Sequence, residues 1–180
     1  PGITLETMTP GLSELSEALA AGDVDLAVGY IPGLGKQVRQ QVLFTEHYVY
    51  LMRKRHPAMA PSYPAAQLRG LGHVVVNPPA TLHSATIERV LVSPKVNAKI
   101  VLRVGSFLCA GPIVAGSDLV APLPSVLAGM VAADLGLGVR APPIRFPTFD
   151  IAMYWHARYH KDPALVWLRD TVAGLLEVHR

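Results

Sequence analysis

Hydrophobic positions change period several times along the chain, and each change predicts an element. From Ile3 to Met8 apolar and polar residues roughly alternate, the period of a strand covered on one face. Thr9-Pro10 then opens a helix whose Leu12, Leu15 and Leu19 share a face, and Gly22 closes it as a C-cap. Asp23 to Tyr30 holds a short continuous apolar core, as expected of a parallel strand covered on both sides. A Gly/Pro loop from Ile31 to Arg39 follows. Val42 to Arg55 predicts one long strand, ended by His56-Pro57, and Ala58 to Pro64 reads as a proline-rich connection.

Beyond Pro64 the rhythm becomes strand, helix, strand. His73–Val76, Lys99–Val104 and Leu119–Ala121 are predicted strands, with Gly138–Ala141 a last short extended piece. Between them the spacing predicts helices over Thr81–Val92, Phe107–Ala115 (bent by Pro112) and Ser125–Leu135. Phe149 to Tyr159 is crowded with apolar and aromatic residues and predicts a second long strand. Asp162-Pro163 then starts a helix, Asp as N-cap and Pro at the first helical position, with Leu165, Leu168, Val172, Leu175 and Leu176 forming its apolar stripe.

Alternating β and α segments argue for an α/β fold with parallel sheets and helices on both faces. The two long strands bracket an α/β unit of about ninety residues, more than a simple excursion needs. A chain that leaves on one long strand and returns on another makes two α/β lobes joined by two hinge strands. Residues 1–46 and 150–180 are expected to form one lobe and 47–149 the other, with a ligand cleft between them. The turns at Met8–Pro10, Asn77–Thr81 and Gly105–Phe107 would lie at carboxyl ends of strands, aiming helix N-termini into that cleft.

Composition narrows the function. The chain has 180 residues, 51% of them hydrophobic, enough for one large domain or two small ones. A net charge of +3 and one short basic run, Arg53-Lys54-Arg55, do not make a nucleic-acid surface, so that run is expected to be a solvated face. The single cysteine, Cys109, excludes an internal disulfide and lies in an apolar run that predicts a buried thiol. No apolar run is long enough to cross a bilayer, so no membrane partner and a cytoplasmic location are expected. The chain opens on Pro-Gly without Met, which suggests a start further upstream.

Chemical motifs fail on inspection. Gly33-Leu34-Gly35-Lys36 lacks the earlier glycine of a phosphate loop, where Tyr30 stands, and Gln37 replaces its Ser or Thr. His156 and His160 flank Ala157 where a zinc protease needs glutamate, and four residues along a strand separate them by about 13 Å. There is no G-x-S-x-G elbow. Neither catalysis, metal nor cofactor is expected.

Three segments carry a resemblance: AAGDVDLAVGY (Ala20–Tyr30), LFTEHYVYLMRKRHP (Leu43–Pro57) and VGSFLCAGPIVAGSDLVAPLP (Val104–Pro124). Together they resemble the effector-binding domain of LysR-type transcriptional regulators. The closing WHARYHKDPALVWLR (Trp155–Arg169) is similar to the branch that answers to aromatic acids and nitroaromatics. The likeness covers nearly the whole chain. It implies a type II periplasmic-binding-protein-like fold. That family's domain begins one strand and one helix earlier, roughly thirty residues, and a helix-turn-helix domain precedes it. Any contact with DNA is therefore expected through that separate domain.

The resemblance also implies where an effector sits. Tyr30, Ile31 and Pro32 would wall the cleft from one lobe, Asn77 to His83 and Gly105 to Phe107 from the other, with Tyr154 adding an aromatic face. His83 matches a position where aromatic-acid-responsive members carry His. It is either a ligand contact to a carboxylate or hydroxyl, able to charge near neutral pH, or a surface helix residue. Ser106 is expected as an N-cap, with or without ligand contact, and stands where that branch commonly has a second His. Phe107 and Tyr154 read as core, ligand wall or both. The expected partners are a small organic anion, aromatic by resemblance, and further copies of the chain. The homodimer or homotetramer would pair the Ile3–Met8 edge against helices of the partner's second lobe. A transport solute-binding protein of the same fold is the alternative, told apart by an upstream signal peptide in place of a helix-turn-helix. An enzyme on this fold is a third class.

Overall fold

The first regular element is helix α1, Leu12–Ala21, and its limits follow from local chemistry. Gly11, not Thr9, is the N-cap, and the Glu14 carboxylate accepts the Gly11 N–H at 3.3 Å. Gly22 ends the helix in the left-handed region at φ 91°, with its N–H on the Ala18 carbonyl. A side chain there would be strained and would also run into the Tyr159 hydroxyl. The computed structural model describes residues 2–31, 33–64, 67, 70–78, 83–142 and 144–176. Ile3–Met8, predicted as a strand, is irregular, with Ile3, Leu5 and Met8 59–73% exposed. Alternation makes a strand only where a neighbour completes the ladder, and no described strand lies beside this segment.

Two sheets follow. The smaller contains β1 (Ala27–Gly29), β2 (Val38–Glu46) and β8 (Phe149–His156), in the order β1-β8-β2 and antiparallel throughout. The expected parallel strand over Asp23–Tyr30 is thus three residues long and antiparallel, with Val28 46% exposed. The larger sheet has the order β5-β4-β6-β3-β7. Its strands are β3 (Tyr48–Arg53), β4 (Gly72–Val76), β5 (Lys99–Val104), β6 (Leu119–Pro124) and β7 (Leu137–Arg140). Here β4 runs parallel to β5 and β6, while β3 is antiparallel to β6 and β7, so the sheet is mixed rather than parallel. Helices α2 (His83–Leu91), α3 (Phe107–Ala115) and α4 (Ser125–Leu135) connect its strands.

In β3, Tyr48, Tyr50 and Met52 enter one buried cluster while Val49 and Leu51 enter another. The two-residue period of the strand therefore feeds a core on each face of the sheet. Arg53, from the basic run, pairs with Asp118. Cys109 is exposed, not buried, because α3 turns Ala110, Gly111 and Val114 inward and leaves Cys109 outside.

The predicted long strand Val42–Arg55 is two strands in two sheets, divided at His47. Glu46 explains the break. Its side chain is 3% exposed; Oε1 accepts the His47 N–H at 2.8 Å and the Ser125 hydroxyl, and Oε2 accepts the Val126 N–H at 3.0 Å. The Ser125 N–H in turn donates to the His47 carbonyl at 2.9 Å. The N-cap of α4 is Pro124, which has no capping side chain, so a carboxylate from the other sheet caps this helix. The chain returns through residues 141–148 to β8. That strand stops at His156, and Ala157–Tyr159 is a 3-10 turn, not strand, with the His156 imidazole accepting the Arg158 N–H. Helix α5 (Pro163–Leu176) starts as its sequence predicts, Asp162 accepting the N–H groups of Ala164 (2.9 Å) and Leu165 (3.0 Å).

These two caps differ in consequence. Asp162→Ala is expected to cost about 1 kcal/mol, the ordinary value of an exposed cap. Glu46→Ala strands three donors at a part-buried junction and is expected to cost more, about 2–3 kcal/mol. Urea denaturation of both variants checks this; a smaller loss for Glu46→Ala would remove Glu46 from that role.

Candidate functional site

Residues from both sheets meet where the chain passes between them. Tyr48 is the first residue of β3 and Phe149 the first of β8. Their rings lie 4.9 Å apart, Phe146 lies 5.4 Å from Tyr48, and Tyr30, from the loop after β1, lies 5.1 Å from Phe149. His83, at the start of α2, is 5.0 Å from Tyr48, 4.8 Å edge-on to Phe107 at the start of α3, and 6.3 Å from Phe149. The result is an aromatic cluster drawn from five segments, with an imidazole in it.

His83 is 4% exposed, so it is not a surface helix residue. Its Nδ1 lies 3.0 Å from the Tyr48 hydroxyl, while its Nε2 is buried without a partner among the described residues. The same strand supplies a control. Two residues along β3, Tyr50 lies 3.1 Å from Nε2 of His73, whose Nδ1 donates to the Leu71 carbonyl at 3.1 Å. His73 is fully buried and fully satisfied, as a structural histidine should be. His83 repeats the Tyr–His pairing with one nitrogen left over. An orphaned buried polar atom costs about 1–3 kcal/mol. Such a cost is tolerated where a partner from outside the chain completes the bond.

Burial pushes the His83 imidazole down to about 4, and no neighbouring carboxylate opposes it, so the ring is neutral near pH 7. This corrects the expectation of charge. Burial, with Tyr30 and Glu46 nearby, raises the Tyr48 phenol well above its ordinary value, so it stays protonated. When that hydroxyl donates to Nδ1, the ring proton sits on Nε2, the unpartnered atom.

The remaining predicted residues fall into place unevenly. Ser106 is the N-cap of α3, its hydroxyl accepting the Leu108 N–H at 3.3 Å, and it is exposed beside Phe107. Asn77 is exposed, and its N–H extends the ladder to the Val104 carbonyl at 2.7 Å. Tyr154 is buried, and burial raises its pKa, with the Ile31 backbone near its hydroxyl opposing that shift. Pro32 and residues 79–82 lie outside the described residues. Sequence reasoning missed Tyr48, Phe146 and Phe149. A signal existed for Tyr48, which with Tyr50 puts two hydroxyl-bearing rings on one face of a strand directly after a buried glutamate. Among the described residues no group of three or more His, Cys, Asp or Glu is placed to hold a metal, and no helix is long and apolar enough to cross a membrane.

This is a two-sheet α/β domain with a buried imidazole in an aromatic cluster between the sheets. Residues 1–177 match the LysR substrate binding domain, and the chain belongs to that family, whose fold is the type II periplasmic-binding-protein-like one. It is 34% identical over 175 residues to the HTH-type transcriptional activator NahR of Pseudomonas putida. The figure is 33% for the activator NagR of a Ralstonia species and 31% for the regulator LinR of Sphingobium indicum. These alignments cover 97–98% of this chain and 58% of each relative, so the chain spans just over half their length. Among solved structures, the regulatory domain of MexT, a transcriptional activator in Pseudomonas aeruginosa, superposes with a TM-score of 0.72 at 23% identity. That superposition covers 88% of this chain and 76% of MexT's. The relatives are named as regulators rather than enzymes, and the transport reading is not favoured.

Burial of the two histidines has a pH signature. Both titrate at about 4 when folded and near 6.5 when unfolded, so the unfolded chain binds more protons between those values. Their contribution is fully present above pH 6.5 and is lost as pH falls toward 4, on the order of 2–3 kcal/mol each. Urea midpoints from pH 7 to 4 should fall for the wild type and less steeply for His83→Gln; identical slopes would contradict the buried neutral ring.

Proposed function

We propose that this chain is the effector-sensing part of a transcriptional regulator and takes a small organic anion, aromatic in character, between two lobes. Residues 1–46 with 150–180 form one lobe and 47–149 the other. The observation carrying this reading is the Nε2 of His83, without a partner among the described residues, inside an aromatic cluster contributed by both sheets. Rings on several sides favour a planar apolar body. Neutral donors, the His83 N–H and the Ser106 hydroxyl at the N-terminus of α3, suit a carboxylate or phenolic oxygen. Tyr30, Ile31, Pro32, Asn77, Phe107 and Tyr154 complete the proposed wall. Ser106 replaces a second His common in the aromatic-acid branch, so a salicylate-type preference is not carried over.

The regulatory step is differential binding. Tyr30 belongs to one lobe, Tyr48, His83 and Phe107 to the other, and Phe149 stands at the boundary where β8 begins, so an effector touching both groups favours one relative orientation of the lobes. A homodimer or homotetramer relays that orientation to a separate DNA-binding domain in the cytoplasm. The naming of the relatives as HTH-type regulators supports a DNA-binding role for the whole protein.

A thermal-shift screen tests the reading. Benzoate, salicylate and related aromatic acids should raise the melting temperature, a ligand at a hundredfold its Kd stabilising by about 2.7 kcal/mol. Aliphatic acids, sugars and amino acids should not. His83→Gln and Ser106→Ala should each weaken binding by roughly tenfold, the loss of one hydrogen bond to a charged group, and Tyr48→Phe should weaken it by releasing the His83 tautomer, with circular dichroism unchanged. Unaltered affinity in all three would place the effector elsewhere.

A further inference from the structure

A second constellation lies far from His83. Strand β8 runs from Phe149, beside the cluster, to Trp155, six residues and about 20 Å further along. There a shallow depression of about 550 Å³ is lined by Arg39, Gln40 and Gln41 of β2, Trp155, His160 of the following turn, and Arg169 and Asp170 of α5. Its volume falls in the range of small-molecule sites.

The electrostatics are one-sided. Arg169 is 6% exposed, its Cζ 4.4 Å from the Trp155 ring centre and its Nη2 donating to the His160 carbonyl at 2.8 Å. Among the described residues its Nη1 is buried without a partner and no carboxylate lies within ion-pairing distance. A buried guanidinium is ordinarily matched by an anion. Arg39, exposed on β2 directly opposite Trp155 in the ladder, adds a second cation. The Trp155 indole N–H donates to His160 Nδ1 at 3.3 Å, which leaves that ring's proton on Nε2 as a free-standing donor. Partial burial, then Arg39, Arg169 and Lys161, lower the His160 pKa, the mark of a locally positive field. Among the described lining residues Asp170 is the one acidic side chain.

We infer that this depression is a second ligand site, for a small oxyanion of the carboxylate or phosphate class, held by Arg39 and Arg169 with His160 as a neutral donor. Both faces of the site are polar or already stacked, so the anionic head and not an aromatic body is what it recognises. Asp170 disfavours a second negative charge, so a monocarboxylate binds better than the phosphate dianion. The site is built from one sheet and its helix and takes no residue of the His83 cluster.

Trp155 is the reporter. The chain has two tryptophans, and Trp167→Phe removes the other, which is half exposed on α5. In that background, titration with acetate, benzoate and inorganic phosphate at constant ionic strength should change Trp155 emission saturably, most tightly for the monocarboxylates. Arg39→Glu, at an exposed position, should weaken that binding at least tenfold, Arg39→Gln less, and His83→Gln should leave it unchanged. An unsaturable response, a response indifferent to Arg39→Glu, or one abolished by His83→Gln overturns the inference. The last result would assign all binding to the His83 site, whereas failure of that site alone leaves the Arg39 response intact.

Discussion

One carboxylate controls how the two sheets meet. Glu46 is the last residue of β2, yet its oxygens serve the first residues of α4 in the other sheet's layer. A buried carboxylate is stable only when its lone pairs are filled, and the N-terminus of an uncapped helix offers the donors. Because Pro124 brings no capping side chain of its own, helix and carboxylate each need the other. That mutual need breaks what reads as one continuous strand, and it positions Tyr48, two residues on, to begin β3 under the aromatic cluster. The candidate site therefore depends on the junction: shift Glu46 and the ring facing His83 shifts with it.

The pair of tyrosine–histidine contacts on β3 separates structure from function within one strand. Tyr50 and His73 close on each other and on the backbone, leaving nothing to bind. Tyr48 and His83 have the same chemistry and comparable burial but leave a nitrogen over. The rings around it exclude water, which raises the value of any acceptor that reaches it. Fold stability alone gives no reason to bury that atom without a partner among the described residues, whereas the proposed ligand recognition does.

Much of the larger sheet was legible because its helices and strands are bounded by local signals. Lys99–Val104, Phe107–Ala115 and Ser125–Leu135 stand where periodicity and the Ser106 cap put them, and Asp162-Pro163 opens α5 as predicted. The errors share one cause: pairing is not written locally. Ile3–Met8 has the right alternation but no ladder partner among the described residues, and Asp23–Tyr30 pairs antiparallel to a strand over a hundred residues away. Val42–Arg55 looked continuous because hydropathy cannot tell which sheet a residue joins. For the aromatic cluster, the resemblance pointed to His83 and Phe107, with Ser106 beside them. Tyr48 carried only the faint signal of its pairing with Tyr50, and Phe149 looks like ordinary strand filling until the fold brings the starts of β3 and β8 together. Cys109 failed for a related reason, as a run of apolar residues on a helix does not say which side faces in.

The two proposed sites would hold an anion in opposite ways. Around His83 the groups are neutral and aromatic, so binding energy there would come from ring contact and a few unionised donors, which would make the shape of the ligand body decisive. Around Arg169 the groups are cationic and polar, so the charge of the head decides and the body matters little. A single β8 strand spans both, Phe149 at one end and Trp155 at the other. Occupancy at Trp155 would brace α5 and the far end of β8 against β2, stiffening the body against which the larger sheet is proposed to move. Stiffening one partner of a hinge reduces the entropy lost when an effector fixes their orientation, so two sites with no shared residue would still be coupled, and in the favourable direction.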